Sequence, residues 1–371
     1  MEVATVDGGA VLDNGLVRVV VDRHGLVTSV RDLVEGRELV PSGRAAVLFQ
    51  VHRDRPTMYE AWDIDADYRR TVDDLREADS VEAVARDAVR VVHSYRSSTI
   101  AATIALRPGA RAVDVTVDVD WHEARRLLKL AIPLDVKADL AASETQFGHV
   151  LRPTYVNTTW DEARYETVAH RWVHVGEAGY GVAVVNDSTY GYDIRRTRAD
   201  GDAVTTTVRA SVIHGPRFPD PDCDLGEHTM RYRIVPGASY QDALREAWEL
   251  NLPTREVTGG REVAPLVELT GRGCLVQTVK LAEDRSGDVV VRLYEADGGR
   301  ATVTVLAHFE HTGVAVTDLH EEATGDPPAV RDDGAVQLVL RPFQIVTLRF
   351  RRTAAGDPDG ADPRPDRRRN P

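Results

Sequence analysis

Apolar and polar residues alternate with period two along most of the first 240 positions. In Val113-Asp114-Val115-Thr116-Val117-Asp118-Val119-Asp120 the valines take one side and the polar residues the other. That pattern predicts a half-buried strand in an antiparallel sheet. Similar runs lie at Leu16 to Val21, Ala45 to Val51, Val89 to Tyr95, Thr99 to Leu106 and Leu127 to Val136. More follow at Gly181 to Asn186, Ala203 to Ile213 and Thr229 to Val235. Turn residues separate them: Asp13-Asn14-Gly15, Arg107-Pro108-Gly109 and Ala199-Asp200-Gly201. Many strands without alternating helices predict sandwiches, not a βαβ fold.

One helix is expected. Tyr240, Ala243, Leu244, Ala247 and Trp248 share a helical face, Ser239 is the N-cap, and Asn251-Leu252-Pro253 is the stop. A large β region over 1–253 should therefore be followed by a linker, 254–263, marked by Gly259-Gly260. A second β region over 264–353 contains runs such as Val289 to Tyr294 and Gln344 to Phe350. The tail, 354–371, is Pro, Gly, Asp and Arg with almost no apolar content and is expected to be disordered.

Charge narrows the function. Fifty-nine acidic against 46 basic residues leave a formal charge of -13, which disfavours nucleic acid and anionic membrane as partners. Two cysteines, Cys223 and Cys274, are too few for a disulfide framework and read as free thiols. The amino terminus carries acids and no apolar run, and no stretch approaches a membrane span. Together these lead to the expectation of a cytoplasmic protein.

Four loop-rich segments use residues that a core does not require. Tyr59 to Tyr68 sets Trp62 among Glu60, Asp63, Asp65 and Asp67; aromatic faces beside carboxylates suit sugar rings and their hydroxyls, and a solvated turn covering a sheet edge is the alternative. Glu144 to His174 contains Trp160 and the pair His170 and His174, whose spacing on a helix could hold zinc; Trp172, Val173 and Val175 favour a strand instead. Gly181 to Asp193 runs a buried strand into a polar loop with Asp187 and Tyr190, a means of presenting side chains at a sandwich rim or else a plain hairpin. His214 to His228 gathers Arg217, Asp220, Asp222 and Asp224 on a proline-stiffened loop. Calcium is conceivable there, but the spacing lacks the glycine and terminal glutamate of an EF-hand, so a loop facing a polyol is the better reading.

In this order these segments resemble the carboxy-terminal region of glycoside hydrolase family 38 α-mannosidases, from about Leu16 to Phe350. Trp62-Asp63-Ile64-Asp65, Gln146-Phe147-Gly148, Arg152-Pro153-Thr154, Asn157-Thr158-Thr159-Trp160-Asp161, Asn186-Asp187 with Tyr190-Gly191-Tyr192, and Pro219-Asp220-Pro221 with Asp224 to His228 carry the resemblance. It implies an all-β chain, a mutarotase-like supersandwich followed by a smaller sandwich. In such enzymes a β/α barrel and helical bundle carry the zinc and an aspartate nucleophile, and α-mannosides are hydrolysed with retention, in mannose and oligosaccharide catabolism. The nucleophile, acid and zinc ligands have no matching positions here, so no cofactor is expected in this chain and zinc is implied for an absent catalytic barrel, its expected partner. What the resemblance carries over is support: Asp187, Tyr190, Arg217, Asp220 and Asp222 as contacts to an α-mannoside or oligosaccharide, and Trp62 and Trp160 as stacking or bracing groups. A free-standing carbohydrate-binding module is the second reading. A mutarotase-like epimerase is the third, and it needs His149 or His170 to meet Glu166 or Glu177 in one cleft. If a barrel is missing, the first β region should expose apolar surface for it.

Overall fold

The fold is described from a computed structural model, over residues 3–352 except 200, 202 and 253. The expected tail, 354–371, lies outside the described residues. Two compact units divide the chain, Met1–Glu256 and Val257–Pro371, so the division falls inside the segment read as a linker.

The first unit is a β-supersandwich. Its nine-stranded sheet has the order Gly148–Pro153, Leu140–Thr145, Trp172–Glu177, Tyr180–Asn186, Gly226–Pro236, Val113–Trp121, Ser98–Ala105, Ala88–Tyr95, Ser80–Ala85. A six-stranded sheet follows the order Thr167–Val168, Gly191–Arg198, Val204–His214, Arg126–Leu134, Leu48–Arg53, Val72–Asp74. A five-stranded meander, Ala4–Val6 through Arg37–Glu38, adds to the same core. Pairing is antiparallel, as the alternation predicts: Val117 lies opposite Ala102 on one side and Met230 on the other. The valines of Val113–Trp121 are all buried, and Trp121 stacks on Tyr95. Asp13-Asn14-Gly15 turns as expected: Asn14 Oδ1 accepts from the amides of Leu16 and Val17, while Gly15 takes φ 82°, where a Cβ would be strained.

The helix spans Tyr240–Asn251. Ser239 and Asp242 close a reciprocal capping box, and the buried face is Ala243, Leu244, Ala247 and Leu250. Trp248, expected on that face, instead lies under the Arg171 guanidinium, 4.2 Å from the ring centroid. A second helix, Thr159–Glu162, was not anticipated because a single capped turn has no periodicity to read.

The second unit packs two four-stranded sheets, one containing Ala301–Ala307 and Val336–Leu340, the other Val289–Glu295 and Ile345–Arg351. Val291, Leu293, Val303, Val305, Leu348 and Phe350 form its core. Cys223 and Cys274 are both free thiols. Among the described residues no helix is long and apolar enough to cross a membrane.

Candidate functional site

Sheet alternation sorts side chains before any loop is considered. In Arg126–Leu134, Leu128, Leu130 and Ile132 enter the core, so Lys129 takes the opposite face. In Val204–His214, Val208, Ala210 and Val212 do the same and leave Arg209 and Ser211 outward. Tyr192 and Ile194 likewise leave Asp193 and Arg195 outward. Register then sets Asp193 beside Arg209, and Lys129 beside Ser211. The outer face of the six-stranded sheet thus carries a row of charges.

Tyr68, from the 3-10 helix Ala66–Arg70, roofs that row. Its hydroxyl lies 2.8 Å from Glu166 and 3.3 Å from Asp193. Lys129, fully buried, pairs with Glu166, and Ser211 Oγ donates to the same carboxylate at 3.0 Å. Asp193 faces Arg209 at 2.8 Å and Arg69 at 2.9 Å. Burial pushes the Asp193 carboxyl up, but Arg209, Lys129, Arg69 and Arg195 together outweigh it and hold it low.

His52 lies on the same face, with Nδ1 3.0 Å from the Thr71 carbonyl. Burial first, then the nearby Lys129 charge, depresses its imidazole to about 4. Because this lies below the unfolded value, stability from neutral His52 is complete above about pH 6.5 and is lost as the pH falls towards 4. The loss should be on the order of 2–3 kcal/mol. Urea denaturation at stepwise pH should show the wild type falling by that much more than His52→Gln across this window.

Around this floor the four loop segments join into a rim. Tyr165 Oη donates to the Ile64 carbonyl at 2.5 Å, linking the second segment to the first. Glu60 accepts from Arg125 at 2.5 Å and from the Arg217 amide at 2.9 Å, linking the first to the fourth. The Arg125 guanidinium and the Arg217 amide hold the Glu60 carboxyl below its ordinary value. Ala169 N donates to the Tyr190 carbonyl, and the His170 ring packs on Tyr190, linking the second to the third. Trp62 (67% exposed), Trp160 (77%), Tyr190 and Phe218 all present rings to solvent along this rim, and Met58, Tyr59 and Val168 add to it. Exposed large apolar side chains also lie elsewhere on the first unit, among them Val34, Val84, Leu140 and Leu151.

The site residues expected from sequence separate on this frame. Trp62, Trp160, Tyr190 and Arg217 lie on the joined segments. Asp220 and Asp222 share an exposed turn in which Asp220 Oδ1 accepts from the Asp222 amide at 3.0 Å. Asp187 faces elsewhere: its carboxylate accepts from Arg231 N and Nε at 2.9 and 2.7 Å, and Arg231 in turn reaches Leu250 on the helix side of the nine-stranded sheet. His174 is on a strand, as its neighbours predict, with Nε2 2.7 Å from the Ala238 carbonyl, and burial pushes its imidazole down. His149 packs on Trp172 and Tyr240 at that same sheet, while Glu166 pairs with Lys129 on the other sheet and Glu177 with Arg37. Among the described residues no three His, Cys, Asp or Glu side chains gather in a way that could hold a metal ion.

Sequence reading missed Lys129, Asp193, Arg195 and Arg209 as a group. The available signal was a lone lysine inside the apolar run Leu127 to Val136.

Residues 12–222 match the family described as Glycosyl hydrolases family 38 C-terminal domain, and residues 274–348 match Glycosyl hydrolases family 38 C-terminal beta sandwich domain. Alpha-mannosidase 2C1 of Homo sapiens is 31% identical over 365 residues, covering 93% of this chain and 34% of the human protein. Alpha-mannosidase of Saccharomyces cerevisiae is 27% identical over 390 residues, with 93% and 35% covered. The chain thus spans about a third of the length of the curated relatives it matches. The crystal structure of an alpha-mannosidase from Enterococcus faecalis V583 superposes with a TM-score of 0.71 at 15% identity, over 94% of this chain and 43% of that one, a likeness of fold.

Proposed function

Since the chain belongs to the family of glycosyl hydrolase family 38 C-terminal domains, we propose that it is the carboxy-terminal portion of a retaining α-mannosidase, packing on a separate catalytic barrel and shaping the sugar pocket. The observation that supports this reading is the rim of joined segments, each of which carries an exposed ring: Trp62, Trp160, Tyr190 or Phe218. Rings of this kind stack on the C–H faces of a sugar and also pack against a partner surface. Arg217, Asp220 and Asp222 are the polar groups on that rim for substrate hydroxyls. Asp187 is better assigned to bracing, since Arg231 already occupies its carboxylate. Zinc, nucleophile and acid belong in this reading to the portion of the relatives that the chain does not span.

The purified chain should not release nitrophenol from a nitrophenyl α-mannoside above the buffer rate. Joined to a matching catalytic portion, the same chain should support hydrolysis. In that assembly Trp62→Ala and Arg217→Ala should each lower kcat/KM about tenfold, the scale of one lost stacking or charged contact. Turnover by the chain alone that survives a chelator would overturn the assignment, as would an assembly indifferent to both substitutions.

A further inference from the structure

The charge row beneath the rim does not balance. Among the described residues Lys129, Arg69, Arg195 and Arg209 pair with two carboxylates, Asp193 and Glu166, which leaves two positive charges in excess. This occurs in a protein whose formal charge is -13. Tyr68 and His52 on this face supply no anion, since burial pushes the phenol far up and the imidazole down, and Asp74, on the edge strand of the same sheet, is already paired with Arg76 at 3.0 Å. Arg195 is driven below its ordinary value by burial and by the neighbouring Arg69. Crowding like charges in a half-buried place is costly unless a counter-ion completes the set.

Hydrogen bonding is incomplete at the same point. Arg209 Nη2 reaches Asp193, yet Arg209 Nε and Arg195 Nη2 are buried donors without a partner among the described residues. Arg195 Nε lies 3.6 Å from Asp193 Oδ1, beyond a good hydrogen bond. Buried donors are nearly always satisfied, and an unsatisfied one costs about 1–3 kcal/mol. The side chains of Arg69, Arg195 and Arg209 as wholes each stay about a fifth exposed, so part of each reaches solvent although the two unpartnered donors do not.

We propose that the outer face of the six-stranded sheet binds a small oxyanion, a carboxylate or phosphate, between Arg195 and Arg209 with Arg69 and Lys129 as supporting charges. Planar guanidiniums match the paired oxygens of such groups, and the two unpartnered N–H donors are the ones an oxyanion would accept from. The inference stands on the charge and donor count and holds whether or not the chain serves in mannoside hydrolysis.

Calorimetry in a phosphate-free buffer of low ionic strength tests it, with inorganic phosphate, D-glucuronate and uncharged D-glucose as titrants. Phosphate or glucuronate should bind saturably at one site, and glucose should give no heat. Arg195→Gln and Arg209→Gln should each weaken binding about tenfold or more, whereas Arg23→Gln, an exposed arginine elsewhere, should leave it unchanged. Absence of saturable anion binding overturns the proposal, and so does equal binding by wild type and Arg195→Gln. Should the glutamine variants fail to fold, the wild-type His52 imidazole decides by NMR. Its pKa, about 4 in the free protein, should rise when phosphate is added, and an unmoved value counts against the site.

Discussion

Asp193→Asn is expected to destabilise the first unit by about 4 kcal/mol, the scale for breaking a buried ion pair from one side. The side chain is almost wholly buried, and the substitution changes its shape little. What it removes is the charge on which Arg69, Arg195 and Arg209 converge, leaving three guanidiniums facing one another. Urea unfolding of the two proteins near neutral pH measures the loss. The pH dependence adds a second check. Asp193 has a folded pKa below its ordinary value of 3.8, so the stability it contributes is complete above that value and is lost as the pH falls through the folded one. The gap between wild type and Asp193→Asn should therefore be widest near neutrality and close under strong acid. A loss below about 1 kcal/mol would mean that solvent, and not Asp193, neutralises the arginines.

A comparable loss is expected in the second unit from Glu295→Ala. Glu295 is buried, and its two oxygens accept four backbone amides: those of Asp297 and Gly299 at Oε1, and those of Gly298 and Phe343 at Oε2, all within 3.1 Å. One carboxylate thus ties the turn after Val289–Glu295 to the loop before Ile345–Arg351. Bonds to a charged acceptor contribute about 1.5–3 kcal/mol each, and removal strands several donors together, so about 4 kcal/mol is a conservative expectation. Cys274 reports on it. Burial, then the charges of Glu295 and Asp297, pushes that thiol up to about 11, so it should resist labelling in the native unit. In a Cys223→Ser background, Glu295→Ala should make Cys274 label at least tenfold faster at equal temperature.

How these features were read from sequence differs by their physics. Strand positions were legible because alternation is a direct imprint of a two-sided sheet, and Val113 to Asp120 became a central strand with every valine buried. The capped helix at Ser239 was legible for a similar local reason. The loop signatures located the rim, yet several of their residues hold the fold together. Glu144 clamps Arg171, Asn186 binds the His170 carbonyl and the Tyr192 hydroxyl, and Asp187 holds Arg231. A motif in a single sequence does not distinguish a brace from a contact, because both require a fixed polar atom. The charge row was illegible for another reason. Lys129, Asp193 and Arg209 are 64 and 16 positions apart along the chain, and only the register of Gly191–Arg198, Val204–His214 and Arg126–Leu134 brings them together.

Chain order within the nine-stranded sheet carries a consequence for how the protein is made. Val113–Trp121 sits between Ser98–Ala105, synthesised just before it, and Gly226–Pro236, which leaves the ribosome more than a hundred residues later. During that interval one side of a valine-rich strand has no pairing partner, and an open edge of this kind invites other strands to add to it. Closure by so distant a segment also makes for slow folding, since the long loop must be ordered before its contacts form. Chains ended before Gly226 should therefore collect in the insoluble fraction, and a chaperone that shields nascent strands should raise the yield of the full-length protein.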